Sequence, residues 1–396
     1  MSGPITEPVA GGPQPSSPPA AAVADAVGVS DSRPAPTYRP LLNPALRRLW
    51  RSTSSLQLGV DPARALVVDD VDTTLARLLL GLDGSRADGE VLADAAAAGL
   101  EVATVAALLD ALRRGDAVLD AGRQPIVGGA ERGRLGPDLA ALSLTQPDDG
   151  AGAAFAARRA GSVLVHGAGR IGVPLASLLV AAGVSRVSVI DPGTVEPADI
   201  APAGSAAGDV GRPARDAAAD ALCRVAPGVD TGPPKPDERP ALVVLASAAP
   251  VAPEFSDGLH RTGVAHLVVG VRETTAIVGP LVIPGRTSCL HCADLHRAER
   301  DPAWPLVATQ LSATPRRHIP PCDVVLAALA AGLGALQILT YLAGGRPAVV
   351  GATMELPAPH TQLRRRVWLP HADCGCLDDV DAGFDAAGTD WVRQAS

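Results

Sequence analysis

The sequence predicts an α/β fold with a mostly parallel sheet, preceded by a small winged-helix α+β module. Three observations carry this expectation. A Gly-rich turn, Gly167-Ala-Gly169-Arg-Ile-Gly172, joins an apolar run to a helical pattern. From Ser162 onward, β-type apolar runs alternate with 3.6-residue periods, the pattern of strands joined by crossover helices. Ahead of these, residues 38–120 pack short strands and three amphipathic helical patterns into one short stretch.

The elements follow in order. Residues 1–37 are rich in Pro, Ala, Ser and Gly without a period, and read as a disordered tail. In the 38–120 module, Leu56-Gln-Leu58 and Ala65-Leu-Val-Val68 read as strands around the turn Gly59-Val-Asp-Pro62. Asp72-Thr-Thr opens a helix carrying Leu75, Leu78, Leu79 and Leu82 on one face, and Asp83-Gly84 stops it. Glu90–Ala98 and Val102–Arg114 are the next helices, the latter with Val105, Leu108, Leu109 and Leu112 inward, and Val118-Leu119 is a closing strand. Residues 121–154 are Gly/Ala/Arg-rich and read as a linker, with Asp138–Leu144 as a strand or a short helix.

The main domain spans 155–380. Val163–His166, Arg186–Ile190, Leu242–Leu245 and Leu267–Gly270 are strands, Ile171–Ala182 and Pro213–Val225 are helices, and 276–278 with 279–283 form an antiparallel pair. Val324–Ala343 is apolar and uncharged over about the length of a membrane span. It is Ala/Gly-rich, contains Gln337 and follows Asp323, which favours a buried helix. Residues 381–396 are a C-terminal tail.

Composition sets bounds. The chain is 47% hydrophobic but only 2% aromatic, so its core must be built from Ala, Val and Leu. A net charge of −8 argues against a general nucleic-acid or anionic-membrane binder. Lys235 is the one lysine, which disfavours P-loop and Schiff-base chemistry. Six cysteines in 396 residues do not make a disulfide scaffold, and no basic region followed by an apolar core opens the chain. These points fit a cytoplasmic protein.

The glycine turn carries the first chemistry. Gly167 permits the tight turn, Gly169 lets phosphate approach the backbone, and Gly172 lets the helix pack on its strand. The helix N-terminus favours an anion, and Arg170 lies beside it. Asp191 ends the next strand, where a carboxylate can take ribose hydroxyls. The alternative is a Rossmann-like layer without a ligand.

The cysteines carry the second. Cys289-Leu-His-Cys292 and Cys374-Gly-Cys376 are two thiolate pairs suited to a closed tetrahedral structural zinc. Free buried cysteines are the plainer reading, and redox chemistry lacks a surrounding motif. Cys322, in Pro320-Pro-Cys-Asp323, is either a small buried residue or a nucleophile, and Cys223 reads as core.

Together, Gly167–Ala226, Gly279–Cys292 and the late cysteine pair resemble the ThiF family, the adenylating enzymes that activate ubiquitin-like proteins and sulfur carriers. Asp191-Pro-Gly-Thr-Val-Glu196 is similar to the stretch after the family's second strand. The resemblance implies ATP at the glycine turn, with Arg215 near it, and a zinc held by the four cysteines. It also implies a homodimer, with 324–343 packed toward a second subunit. Departures weaken the adenylation part. Asp199-Ile-Ala-Pro202 lacks the family's triphosphate arginine, and Ala214 stands where a phosphate lysine is expected. Residues 243–249 lack the metal-linked carboxylate.

The 38–120 module resembles the winged-helix peptide-recognition element of ribosomal-peptide maturation, through Leu41-Leu-Asn-Pro44, Leu56-Gln-Leu58-Gly59 and Leu82-Asp-Gly84. Such an element binds a leader peptide as an added strand. Fused ahead of a ThiF-like domain, it is similar to the actinobacterial leader-binding partners of azoline-forming cyclodehydratases. This implies a precursor-peptide leader and a separate maturation enzyme as partners. An active adenylyltransferase acting on a small carrier protein is the alternative, and an NAD-dependent oxidoreductase fits the turn but not the cysteines.

Overall fold

A computed structural model describes residues 37–146, 150–234, 238–246, 253–312, 321–360 and 362–377. The expected N-terminal tail, but for Thr37, and the expected C-terminal tail lie outside these residues.

The first unit begins with β1 (Pro40–Leu42), β2 (Arg48–Trp50), β3 (Leu56–Leu58) and β4 (Leu66–Val68). Helices α1 (Thr73–Leu80), α2 (Asp88–Ala97) and α3 (Val102–Arg114) follow, then β5 (Val118–Asp120). Strands β2-β3-β4 form an antiparallel sheet, and β1 pairs antiparallel with β5. Asp72 caps α1 by accepting from the Leu75 amide at 2.7 Å, an arrangement worth about 1 kcal/mol. Leu56 and Leu58 from β3, Leu79 from α1, Val91 from α2 and Val105, Leu109 and Leu112 from α3 form one core. The period-2 and period-3.6 patterns therefore converge on the same interior.

The stretch expected as linker contains α4 (Gly129–Thr145) and leads into α5 (Ala151–Ala160). Leu135 and Leu142, two turns apart on α4, bury with Val127, Ala151, Ala154 and Phe155 in a small core of their own. The Gly and Pro content of α4, including the internal Pro137, hides this stripe in the sequence. Arg134 donates to the carbonyls of Val180 and Ala181, capping a helix of the main sheet. Ser143 donates to the fully buried Asn43 Oδ1, and Asn43 Nδ2 donates to Asp116 O.

The main unit runs β6 (Ser162–His166), α6 (Gly172–Ala181), β7 (Arg186–Ile190), α7 (Ala214–Val225), β8 (Leu242–Ala246), α8 (Pro253–Arg261), β9 (His266–Arg272) and β10 (Thr275–Val282). It continues with α9 (Leu290–Arg300), α10 (Trp304–Ser312), α11 (Val324–Leu342), β11 (Ala352–Pro357) and β12 (Arg364–Val367). The seven-stranded sheet has the order β12-β11-β10-β9-β8-β6-β7. Strands β7, β6, β8 and β9 are parallel, and β10 to β12 add antiparallel. The expected pair at 276–278 and 279–283 is instead one strand, β10, whose register shifts between Val278 and Leu281. The glycine and proline at the shift mimic a hairpin turn in sequence; the true partners are β9 and β11.

Helix α11 is long and apolar enough to cross a membrane by length and composition. Ala327, Ala330, Ala331, Gly334 and Ile338 are nevertheless buried in the core shared with α6, β9 and β10. Small residues there permit close approach: a Cβ at Gly334 would lie 3.0 Å from Val269. Cys223, expected in the core, is exposed. The buried face of α7 is Ala214, Ala217, Ala218, Ala221 and Leu222, and Cys223 falls one residue past it.

Candidate functional site

Strand β6 has its parallel neighbours on opposite sides, β7 next in the chain and β8 after it. Its carboxyl end is therefore the topological switch point, where open α/β sheets place ligands. The glycine turn sits there. Gly167 has φ +106, and a Cβ on it would lie 2.2 Å from Ala246 O. A Cβ on Gly172 would lie 1.8 Å from Gly167 O. Both positions thus require glycine for the backbone packing alone. Gly169 is less constrained, its nearest neighbour to a Cβ being Asp199 Oδ1 at 3.3 Å.

Asp191 joins this turn. Its Oδ2 accepts from the Ala168 amide at 2.9 Å, and its Oδ1 accepts from the Gly193 amide at 2.8 Å. The carboxylate expected to face a ligand thus also anchors the loop that would hold one. Gly193 O in turn accepts from the Ala214 amide at 3.0 Å, and Val195 exchanges backbone hydrogen bonds with Gly211 and Arg212. The segments 191–196 and 211–215, far apart in sequence, therefore form one surface beside the turn.

The cations near it are largely engaged. Arg170 Nε donates to Ala198 O, and its Nη1 donates to Cys322 O at 3.0 Å. Arg212 pairs with Asp209 at 2.6 Å and Asp220 at 2.5 Å. Arg215 is exposed and lies 3.2 Å from Asp216. Cys322 is half-buried, and burial pushes its thiol up despite nearby Arg170, which disfavours a thiolate nucleophile.

The structure brings the four paired cysteines together. Cys289 Sγ lies 3.9 Å from Cys292 Sγ and 3.6 Å from Cys374 Sγ, and Cys292 Sγ lies 3.5 Å from Cys376 Sγ. A tetrahedral zinc with Zn–S bonds near 2.3 Å needs sulfur separations of about 3.8 Å. The donor set fits such an ion. Burial raises the Cys289 thiol although the Cys292 amide pulls the other way, and burial together with the neighbouring Cys292 sulfur pushes Cys376 up to about 12. Burial opposes ionisation of Cys292 too, yet hydrogen bonds led by the His371 amide hold it below the usual thiol range. Four clustered thiols of this kind ionise together only with a cation among them. Sequence reading did not single out His371, because a backbone donor to sulfur leaves no side-chain signature.

On the first unit, β4 pairs with β3 on one side and is the edge of its sheet among the described residues. Val67 in its middle is exposed, as is Trp50 at the end of β2. A cleft of about 650 Å³ lies between the β2–β3 turn and the start of α1, lined by Trp50, Arg51, Val71 and Asp72 among others.

Comparison with known proteins agrees with this architecture. Residues 150–235 match the model of the ThiF family. No curated protein matches the chain. Among solved structures, MccB of E. coli with ATP aligns at a TM-score of 0.64 with 13% identity, covering 85% of this chain and 99% of MccB. The microcin C7 biosynthetic enzyme MccB in complex with N-formylated MccA aligns with the same TM-score at 12% identity, covering 85% and 99%. Selenomethionine PaaA aligns at 0.59 with 17% identity, covering 83% and 99%. The α/β unit therefore contains a segment similar to the ThiF family, and the chain has a fold similar to those of MccB and PaaA.

Proposed function

We propose that this chain binds the leader of a ribosomally made precursor peptide and serves that peptide's maturation, with a partly degenerate adenylation site. The observation that supports it is the edge strand β4, carrying exposed Val67, on a three-stranded sheet followed by three helices. An extended peptide adds to such an edge by main-chain hydrogen bonds. The aligned MccB was solved with MccA, and the alignment spans 85% of the present chain. In this reading the first unit holds the leader, and the ThiF-like unit either modifies the peptide or presents it to a separate enzyme.

The test is calorimetric titration of the full chain with short peptides encoded beside its gene. Binding weakened about tenfold or more by Val67→Asp, with folding stability nearly unchanged at this exposed site, is the expected outcome. No binding to any neighbouring peptide would sink the reading.

Adenylation remains the second reading, favoured by the intact turn and its Asp191 anchor. Charge developing on a leaving pyrophosphate needs free, positioned cations. Arg212 is committed to two aspartates and Arg170 to two carbonyls, so the expected rate is low. ATP–pyrophosphate exchange with candidate peptides or carrier proteins separates the two. Zinc at Cys289, Cys292, Cys374 and Cys376 belongs to the same proposal as a structural clamp between the start of α9 and the C-terminal segment. A cytoplasmic homodimer completes it. Val325, Leu329 and Leu336 form an exposed apolar line along α11, which supports a second copy there, and light scattering tests that.

A further inference from the structure

Strand β12 ends the seven-stranded sheet, so its outer main-chain groups face no partner strand among the described residues. It reads Arg364-Arg365-Arg366-Val367, and all four residues are exposed. The whole chain carries a net charge of −8, so three consecutive arginines make this edge a local reversal of sign.

The register shows that these charges are under-matched. Arg364 stands opposite Glu355 on β11, and Arg366 stands opposite Thr353. Directly opposed residues share a face, so Arg364, Arg366 and Glu355 lie on the same side of the sheet. Arg272, at the end of β9, lies 3.5 Å from the Glu355 carboxylate, and Arg366 lies 3.9 Å from it. One half-buried carboxylate thus serves three guanidinium groups, and Arg364 makes no ion pair among the described residues. Arg366 is also held over the Trp368 ring at 5.6 Å, and Arg365 Nε donates to Ala348 O at 2.8 Å. On the opposite face, Val367 is exposed beside Arg365, and Leu363 and Leu369 are exposed just beyond the two ends of the strand.

We propose that the β12 edge binds an acidic, extended peptide segment of a partner, added to the sheet as an eighth strand with a carboxylate at every second residue. The main chain of such a segment takes up the open hydrogen-bonding groups of the edge. Side chains alternate between faces along a strand, so every second residue of the segment meets the side carrying Arg364 and Arg366. The residues between meet the side of Val367, where apolar groups fit. Charge selects the occupant. A second copy pairing edge to edge would set arginines against arginines, which destabilises that arrangement, whereas an acidic strand supplies the missing carboxylates. This surface is separate from the β4 edge proposed for the leader and does not depend on it.

Fluorescence anisotropy of a labelled peptide of alternating Asp and Val, titrated with the full chain, tests this. Saturable binding is expected, weakened at least about tenfold when Asn replaces Asp in the peptide. The same acidic peptide N-methylated at every residue keeps its charge but loses its main-chain donors, and should bind at least about tenfold more weakly. Arg364→Glu, at an exposed site that folding tolerates, should weaken binding by a similar factor. That substitution touches β12 alone, so the result stands apart from the fate of the β4 edge. No saturable binding, binding indifferent to N-methylation, or binding unchanged by Arg364→Glu would overturn the proposal. Residues 378–396 of this chain themselves hold five aspartates. Binding that emerges only when those five are changed to Asn would assign the edge to the chain's own acidic segment, and would overturn it equally.

Discussion

The Ala168 amide donates to Asp191 Oδ2 at 2.9 Å, so the acid at the end of β7 holds the glycine turn at the end of β6. The same carboxylate takes the Gly193 amide on its other oxygen. Asp191→Ala leaves both donors without this acceptor. Each charge-assisted bond of this type contributes about 1.5–3 kcal/mol. The expected loss in unfolding free energy is about 2 kcal/mol, because water reaches part of this loop. Asp191→Asn should lie between, since its amide oxygen satisfies only one of the two donors. Urea unfolding of both variants checks the order.

Gly172→Ala should be harsher. The new methyl would sit 1.8 Å from Gly167 O, and the neighbour is backbone that cannot rotate away. Relief requires the start of α6 to separate from β6, which opens the core around Val173, Leu175 and Ala176. A loss of more than about 3 kcal/mol, or no folded protein, is expected. Gly169→Ala, with Asp199 Oδ1 at 3.3 Å as its nearest neighbour, should fold. A Gly172→Ala variant with an ordinary melting temperature would contradict the packing.

These contrasts show what the sequence discloses. The turn glycines and the short helices of the first unit are legible because local conformation and periodicity write them directly. Helix α4 is not, because Gly133, Gly136 and Pro137 interrupt the composition while Leu135 and Leu142 keep the period. Strands β11 and β12 are not, because they enter the sheet antiparallel from across α11, and pairing at that distance leaves no local mark. The cysteine pairs announce their spacing but not their meeting; Cys289 and Cys374 are 85 residues apart and 3.6 Å apart in space.

A zinc at the four cysteines makes a further prediction. Cys376→Ser and Cys289→Ser should each lower zinc content by about one equivalent per chain and reduce stability by several kcal/mol. Chelation of the unaltered chain should lower its melting temperature, and added zinc should restore it. The effect should concentrate on the start of α9 and residues 364–377, read by hydrogen exchange. Metal-free protein of equal stability would refute the site.

The pH dependence of stability should carry the mark of His266. This ring is almost fully buried at the start of β9, with Nδ1 donating to Val264 O. Burial is the main cause of its lowered pKa, about 4 against an ordinary 6.5; the Val264 carbonyl pulls the other way, and nearby His260 lowers it a little further. The unfolded chain therefore binds a proton in the window from 6.5 down to 4 that the folded chain refuses. Stability is full above that window and falls as pH drops through it, by about 3 kcal/mol at most for a shift of this size. Carboxylates that lose their own partners deepen the fall below it. Replacement by an uncharged residue of similar bulk, His266→Gln, costs stability at neutral pH but should flatten the slope between pH 6.5 and 4. Denaturant titrations across that range in both proteins compare the slopes directly, and equal slopes would show that His266 is not the group responsible.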